Sequence, residues 1–326
     1  MIYTCPLHGH ILSRRGPSAI CPECVEPYAI SDDVWILDIV HRNDRLEFDK
    51  QVDENPIELD LTKAEHHLAA AGVNILHNAT ILDLGCGLGD MTLSLSSSPR
   101  VTDSDIYAVD HSVQSVRKAA AAVNGRAVSN RAHFSTQDAS RLFFRDSSFN
   151  FVVGSAVLHH ITDYSAILRE IFRLLKPNGT AVFSEPFLEG YFWPCYLLQL
   201  AADELRLPIT EGADFGLGKF VIENTVYRMS NATNLAALDG LTDKHYFRSE
   251  DLLLLGREIG FSKVQVRNAE SLPFYTNWMA HFMDVYGVQN QPLRYKAIQY
   301  YESLTKLAGS RLTDLVSHFK YMVFEK

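Results

Sequence analysis

The 326-residue chain lacks several features, and each absence narrows what it can be. It has no run of about 18 apolar residues, the length a membrane-spanning helix needs, because Glu189 and Gln199 break the best candidate, FLEGYFWPCYLLQLAA. Its first residues carry no charged, apolar, small-residue targeting pattern, so the expected location is cytoplasmic. Five cysteines are too few for a disulfide scaffold. Beyond Arg14-Arg15 there is no basic cluster, and 30 basic against 39 acidic side chains leave a formal charge of -9. That balance disfavours nucleic acid as a partner, since gripping phosphates takes concentrated positive charge. No tail is of low complexity, and 47% hydrophobic content suffices for one sizeable α/β domain with additions.

The most informative stretch is ILDLGCGLG at 81–89, a short apolar run that ends in an acid and three alternating glycines. Glycines let the backbone turn sharply and let a ligand come close. A helical pattern starts at Asp90, so the loop delivers its ligand to a helix N-terminus, where unpaired N–H groups favour negative charge. Two phosphate-binding patterns fail. Gly85, Gly87 and Gly89 spell GxGxG, with Asp90 where the dinucleotide fingerprint needs its third glycine. Gly216-Leu217-Gly218-Lys219 is followed by Phe220 rather than by the Ser or Thr of a nucleotide-triphosphate loop. Asp110 closes the next apolar run, IYAV, 21 residues beyond Gly89, where a carboxylate can accept from both hydroxyls of a ribose. Strand and helix signals then alternate, which implies a parallel sheet with helices on both faces and ligands at the carboxyl ends of the strands. Asp83, Gly85, Gly87, Asp110, Asp138 and Ser155 all fall at such ends.

ILDLGCGLG resembles the first motif of class I S-adenosylmethionine (SAM) dependent methyltransferases, and the resemblance runs in order from about Ala79 to Pro186. It implies a doubly wound, seven-stranded Rossmann-like sheet and SAM as cofactor. It assigns Asp83 a water-mediated contact to the methionine amino group, Asp110 the ribose, and Asp138 and the Ala139 N–H the adenine. Gly85, Cys86, Gly87, His111 and Ser155 complete the expected cofactor lining. FNFVVGSAVLHHITD resembles the fourth-strand motif of small-molecule methyltransferases, with Asn150 in place of the common aspartate. His159 and His160 follow that strand and are candidate bases, since an imidazole takes a proton near neutral pH; the pair also fits a packing and capping element. Glu185, at the end of TAVFSEP, is the other catalytic candidate, or else a partner for a loop N–H.

CPLH at 5–8 and CPEC at 21–24 give two tight ligand pairs 12 residues apart, a spacing that closes on one tetrahedral zinc. The set is Cys5, His8, Cys21 and Cys24, with His8 preferred over His10 because Gly9 lets the chain leave the knuckle in a left-handed conformation. Four protein ligands leave no open position, so the expected zinc is structural. With YAISDDVWIL after it, the segment resembles the zinc-ribbon modules that precede many bacterial methyltransferases. Arg14 and Arg15 balance Glu23 and Glu26, so the module carries no surplus charge for RNA.

The expected organisation is a zinc-ribbon-like module at 1–40, a linker and N-terminal helix at 41–74, a SAM-binding core at 75–186, a helical lid at 187–248, and the rest of the core at 249–326 with a second helical insertion at 271–318. Thr62 and Glu65 read as a capping box for the helix KAEHHLAAAGVNIL, whose His66 and His67 are expected on a solvated face. Tyr191, Phe192, Trp193 and Tyr196 are the candidate acceptor lining, and Gly212, Gly216 and Gly218 a hinge. Tyr275, Trp278, Met279, Phe282 and Tyr286 recur at helical spacing, as a roof to the pocket or a homodimer face. The functional expectation is methyl transfer to a small, partly hydrophobic acceptor. An RNA or protein methyltransferase that docks through its ribbon, and a non-catalytic SAM-binding scaffold, are the alternatives.

Overall fold

The structure, a computed structural model, describes residues 2–37, 60–126, 128–207, 225, 227–269 and 277–326. The N-terminal segment forms β1 (Ser13–Arg15), β2 (Ser18–Ile20), β3 (Tyr28–Ser31) and β4 (Val34–Ile36). The central part runs α1 (Lys63–Ala71), β5 (Leu76–His77), β6 (Thr80–Leu84), α2 (Asp90–Ser97), β7 (Val101–Thr102), β8 (Asp105–Asp110), α3 (Val113–Asn124), β9 (Arg131–Thr136), β10 (Phe149–Ser155), α4 (Tyr164–Leu174) and β11 (Leu175–Pro186). The remainder adds α5 (Leu188–Glu204), the single turns α6 (Tyr227–Ser230) and α7 (Leu235–Leu238), α8 (Ser249–Ile259), β12 (Lys263–Asn268), α9 (Trp278–Val285), α10 (Gln291–Ala308), α11 (Leu312–Val316) and β13 (Phe319–Glu325). Residues 41–59 of the expected linker and the glycines read as a hinge lie outside the described residues, as does Tyr275.

The main sheet has the order β1-β2-β3-β4-β9-β8-β6-β10-β11-β13-β12. From β9 to β11 the neighbours are parallel, and β13 runs antiparallel between β11 and β12. This arrangement is the expected doubly wound, Rossmann-like sheet. Its strands are apolar on both faces, as a sheet covered on both sides must be. In β8, Ile106 and Ala108 point toward α1, α2 and α3, while Tyr107 and Val109 share a buried cluster with α4 and α8.

The N-terminal segment read as a ribbon is joined to the sheet. Strand β4 pairs in parallel with β9, Val34 opposite Phe134 and Ile36 opposite Thr136, which extends the sheet to eleven strands. Tyr3, fully buried, stacks on Trp35 at 4.8 Å and on Phe144 at 5.2 Å between ring centroids, so ribbon and core share one apolar cluster.

Local signals fare unevenly. Ser112 caps α3 by accepting from the Ser115 N–H at 3.1 Å, and Asp163 caps α4 from the Ala166 N–H at 3.1 Å. The Thr62 capping box does not form. The Thr62 hydroxyl donates to Asp60 instead, at 2.6 Å, and Glu65 accepts from Ser98 and Arg100. Helix α1 stops at Gly72 (φ +70°), short of the expected Leu76. His67 is buried against Tyr321 rather than solvated. Asn150 joins two strand beginnings, accepting from the Thr80 N–H at 2.9 Å and from Lys176 at 2.8 Å.

Helices α5, α9, α10 and α11 form a layer with its own apolar centre, including Leu198, Trp278, Phe282, Ala297 and Leu312. The Trp278 Nε1–H donates to the Gly190 carbonyl at 2.9 Å, and a Cβ on Gly190 would lie 2.0 Å from the His318 Cα, so glycine is required where the two segments touch. The apolar side of α9 is thus packed within the helical layer. Trp278, Met279, Phe282 and Met283 are covered within the chain.

Candidate cofactor and acceptor site

The loop after β6 has the conformation its sequence demands. Gly85 (φ +69°), Gly87 (+51°) and Gly89 (+95°) are all left-handed, where a side chain is strained. A Cβ on Gly85 would come within 2.5 Å of the Val157 side chain, and one on Gly89 within 2.9 Å of the Ala119 backbone. A Cβ on Gly87 would meet nothing within 4 Å. The outer two glycines thus serve close packing, and the middle one faces the open space a ligand could enter.

The acidic residues surround this loop. The Asp110 carboxylate, nearly buried at the end of β8, accepts from the Gly87 N–H on one oxygen (3.0 Å) and from the Ser112 N–H on the other (2.9 Å). Each carboxylate oxygen has a second lone pair, so two neighbouring hydroxyls can be bound without releasing the loop. His111 lies beside it, Nδ1 3.3 Å from Oδ1. Asp83 is buried and accepts from the Thr92 hydroxyl at 2.5 Å. Burial pushes its carboxyl up to about 7, opposed by Thr92 and Lys63. Lys63 also reaches Asp90, at 3.0 Å, at the start of α2. Asp138 forms an Asx turn, its Oδ1 taking the Ser140 N–H at 2.8 Å and the Ser140 hydroxyl at 2.6 Å. Ala139 is half-buried beside it, Cys86 is buried under the loop, and Ser155 ends β10. The glycine cradle and the Asp110 carboxylate fit an adenosyl cofactor.

The second group lies after β10, where Leu158–His160 form a single 3-10 turn. Glu185 is fully buried and occupied. Its Oε1 accepts from the N–H groups of Val157 (2.9 Å) and Leu158 (2.8 Å), and its Oε2 from the His159 N–H (3.3 Å) and ring Nδ1 (2.7 Å). A carboxylate so engaged positions the turn, the loop N–H role that the sequence offered beside that of a base. His159 is buried too, with its other ring nitrogen 3.6 Å from Asp243. His160 is half-buried, its Nδ1 3.0 Å from the Thr242 carbonyl and 3.2 Å from Asp243 Oδ1.

Asp243 and Arg228 are the residues that sequence reasoning missed. Both come from the segment that follows α5, and Arg228 lies 3.6 Å from the second Asp243 oxygen with its guanidinium over the Tyr246 ring. Neither stands in a pattern with a periodicity or spacing that would mark it. The N–H groups of Lys244 and His245 donate to the His159 carbonyl, at 2.7 and 3.3 Å, which fastens this segment to the histidine turn. A cavity of about 710 Å³ opens next to it, lined by Tyr164, Phe192, Trp193, Tyr246 and Arg228 among others. Two of the four aromatic candidates line it. Tyr191 instead stacks on Tyr246 within the helical layer, and Tyr196 lies half-exposed against Phe192 outside the cavity lining.

At the other end of the sheet, one donor atom from each of Cys5, His8, Cys21 and Cys24 lies within 4.8 Å of all the others. Cys5 Sγ is 3.7 Å from His8 Nδ1 and 3.5 Å from Cys24 Sγ, and His8 Nδ1 is 3.6 Å from Cys21 Sγ and 3.4 Å from Cys24 Sγ. Gly9 has φ +72°, as expected, and His10 turns away to Glu23.

Comparison with known proteins agrees with the central loop. Residues 82–183 match the family described as methyltransferase domain. A demethylmenaquinone methyltransferase from Lactiplantibacillus plantarum is 32% identical over 124 residues, 38% of this chain and 49% of that protein. A sterol 24-C-methyltransferase from Aspergillus fumigatus is 27% identical over 119 residues, 36% of this chain and 30% of that protein. The chain thus spans about half the length, or less, of these curated relatives. A SAM-dependent methyltransferase structure from Methanosarcina mazei is similar at a TM-score of 0.46 and 20% identity, covering 78% of this chain and 94% of that one, a level that carries no argument about function. Within this chain, then, the stretch 82–183 is similar to a methyltransferase domain. Its glycine loop and Asp110 lie inside the matched stretch, while the ribbon and the helical layer lie outside it.

Proposed function

We propose that this protein is an enzyme that transfers a methyl group from SAM to a small, partly hydrophobic acceptor. The observation that carries the reading is the left-handed glycine loop closed onto the buried Asp110 carboxylate. In this reading Asp110 holds the ribose, Asp138 and the Ala139 N–H the adenine, and Asp83 the methionine end. Gly85, Cys86, Gly87, His111 and Ser155 line the cofactor. The acceptor lies toward the Leu158–His160 turn and the cavity bearing Phe192 and Trp193, under the helical layer. Methyl transfer from a sulfonium needs chiefly an in-line approach, so orientation supplies most of the acceleration. Among the described residues no helix is long and apolar enough to cross a membrane, and we place the enzyme in the cytoplasm.

The Cys5–His8–Cys21–Cys24 cluster is proposed to hold a structural zinc. Zinc bonds of about 2.3 Å to sulfur and about 2.0–2.1 Å to nitrogen put tetrahedral donor atoms about 3.6–3.8 Å apart. Four of the six separations, 3.4–3.7 Å, match that figure, and all six are within 4.8 Å.

Calorimetry with SAM tests the main reading. Asp110→Ala should weaken binding by about 100-fold or more, since it removes charge-assisted hydrogen bonds worth about 1.5–3 kcal/mol each. Equal affinity in the two proteins would refute the assignment. Incubation with methyl-labelled SAM and the low-molecular-weight fraction of a cell extract should yield a small labelled product.

A further inference from the structure

We propose that Lys63 binds the carboxylate of the cofactor's methionine end, so that the site selects an intact α-amino acid and not the adenosyl group alone. The inference rests on the methyltransferase reading and deepens it.

The charges at the glycine loop are unequal. Burial raises the Asp83 carboxyl most; Thr92 and Lys63 pull it down, and the Asp110 and Asp90 charges push it up. Lys63, the first residue of α1, donates from Nζ to Asp90 Oδ2 at 3.0 Å. The other Asp90 oxygen is buried and accepts no hydrogen bond from the described residues. One lysine therefore stands among three carboxylates, Asp83, Asp90 and Asp110, and leaves the loop negative.

A zwitterion of the amino-acid type completes that arrangement. Its ammonium group fits against Asp83 and Asp90 and its carboxylate against Lys63, so that opposite charges alternate across the site. The sulfonium leaves the cofactor with net positive charge, which the surplus of carboxylates favours.

The backbone on both sides of Lys63 is held without help from its side chain. Ser94, buried in α2, accepts from the Ala64 N–H at 2.9 Å and donates to the Leu61 carbonyl at 2.6 Å. The His67 ring donates from Nδ1 to the Lys63 carbonyl at 2.8 Å, which gives this buried histidine a purpose. The start of α1 is thus fastened to α2 by Ser94, and the lysine side chain is left for another task. A partly solvated ion pair adds little to stability, so folding alone does not account for Lys63 beside the loop. The Lys63 and Asp90 side chains remain 33% and 26% exposed, and a ligand can reach both.

In this scheme the cofactor is anchored at two ends, its ribose by Asp110 and its amino acid by Lys63. Such anchoring limits rotation about the bonds to sulfur and sets the direction in which the methyl group points.

Calorimetry on the full chain with three probes tests the assignment. They are SAM, decarboxylated SAM, which keeps the amine and the sulfonium, and methylthioadenosine, which lacks the amino acid. The wild type should bind SAM about 10-fold or more tighter than decarboxylated SAM, the least that one charge-assisted hydrogen bond supplies. Lys63→Gln should weaken SAM by about 10- to 100-fold on the same scale. It should leave decarboxylated SAM as tightly bound or tighter, because a repelling charge has gone, and should leave methylthioadenosine unchanged. Lys63→Arg should restore SAM. A wild type that binds SAM and decarboxylated SAM equally would overturn the proposal without any variant, and would leave the adenosyl site in place. Lys63→Gln weakening all three probes alike would make the lysine a fastener of α1, and weakening none would give it no part in binding; either result sinks the proposal. A wild type that binds none of the three would instead overturn the underlying enzymatic reading, and this inference with it.

Discussion

The two additions to the central sheet are held by different means. The N-terminal ribbon has four strands of three or four residues, and it joins the core by pairing β4 with β9 and by burying Tyr3 and Trp35 in the core's own cluster. The helical layer instead builds an apolar centre of its own from α5, α9, α10 and α11. A segment of fewer than about 40 residues buries too little to hold itself together and needs a cross-link or a host. The ribbon has a host in the sheet and, in our reading, a cross-link in zinc. The layer has enough leucine and aromatic volume to need neither. Loss of the metal cluster should thus spread into the sheet, whereas loss of a layer side chain should stay local.

The sharpest break of this contrast is Cys21→Ser. It should release zinc, detected by elemental analysis, and lower stability in denaturant titration by on the order of 5 kcal/mol, the range that follows loss of a metal. Limited proteolysis should then cut before residue 60. If zinc were lost, or were absent from both proteins, and stability were unchanged, the ribbon would be held by packing alone. Phe282→Ala, in the middle of the layer, should cost about 3–5 kcal/mol from lost burial and the cavity left behind. Calorimetric SAM affinity should be retained, because Phe282 belongs to a cluster separate from those around the glycine loop.

A smaller effect distinguishes the centre from both additions. An unfolded aspartate titrates near 3.9, whereas burial holds Asp83 at about 7 in the folded chain. The folded state therefore keeps a proton that the unfolded state has lost, and stability is full below about 4 and declines as pH rises to about 7. Asp83→Asn should flatten that decline in thermal unfolding followed across pH. The smallest effect is expected at the knuckle tip, where Val25 is 95% exposed. Val25→Ser should change stability by no more than about 0.5 kcal/mol.

Much of the centre was legible because backbone chemistry left marks in the sequence. Three glycines at alternating positions can follow a buried strand for few reasons, and all three are left-handed. Gly9 is left-handed as well, and His8, the residue before it, lies among the three cysteines. The capping misreading at Thr62 arose because Asp60, two residues before it, competes for the hydroxyl, a choice no local pattern reveals. The pairing of β4 with β9 joins positions 100 residues apart, and strand pairing at that distance is not encoded in the hydrophobic pattern of either strand. Asp243 was invisible for a related reason. Its partners are His159 and His160, more than 80 residues earlier, and main-chain bonds from Lys244 and His245, with ring bonds from His160 and His245, bring them together.

The ribbon's place in the sheet also bears on how molecules behave in crowded solution. Without it β9 would be the sheet margin, a row of unpaired amide and carbonyl groups alongside Phe134 on which another molecule's strand could dock. With it, one margin is the three-residue β1, which bears Arg14 and Arg15 in solvent, and the other is β12, which bears Lys263 and Arg267. Short length and positive charge both discourage edge-to-edge growth. A zinc-starved preparation should accordingly turn cloudy before it loses its helices.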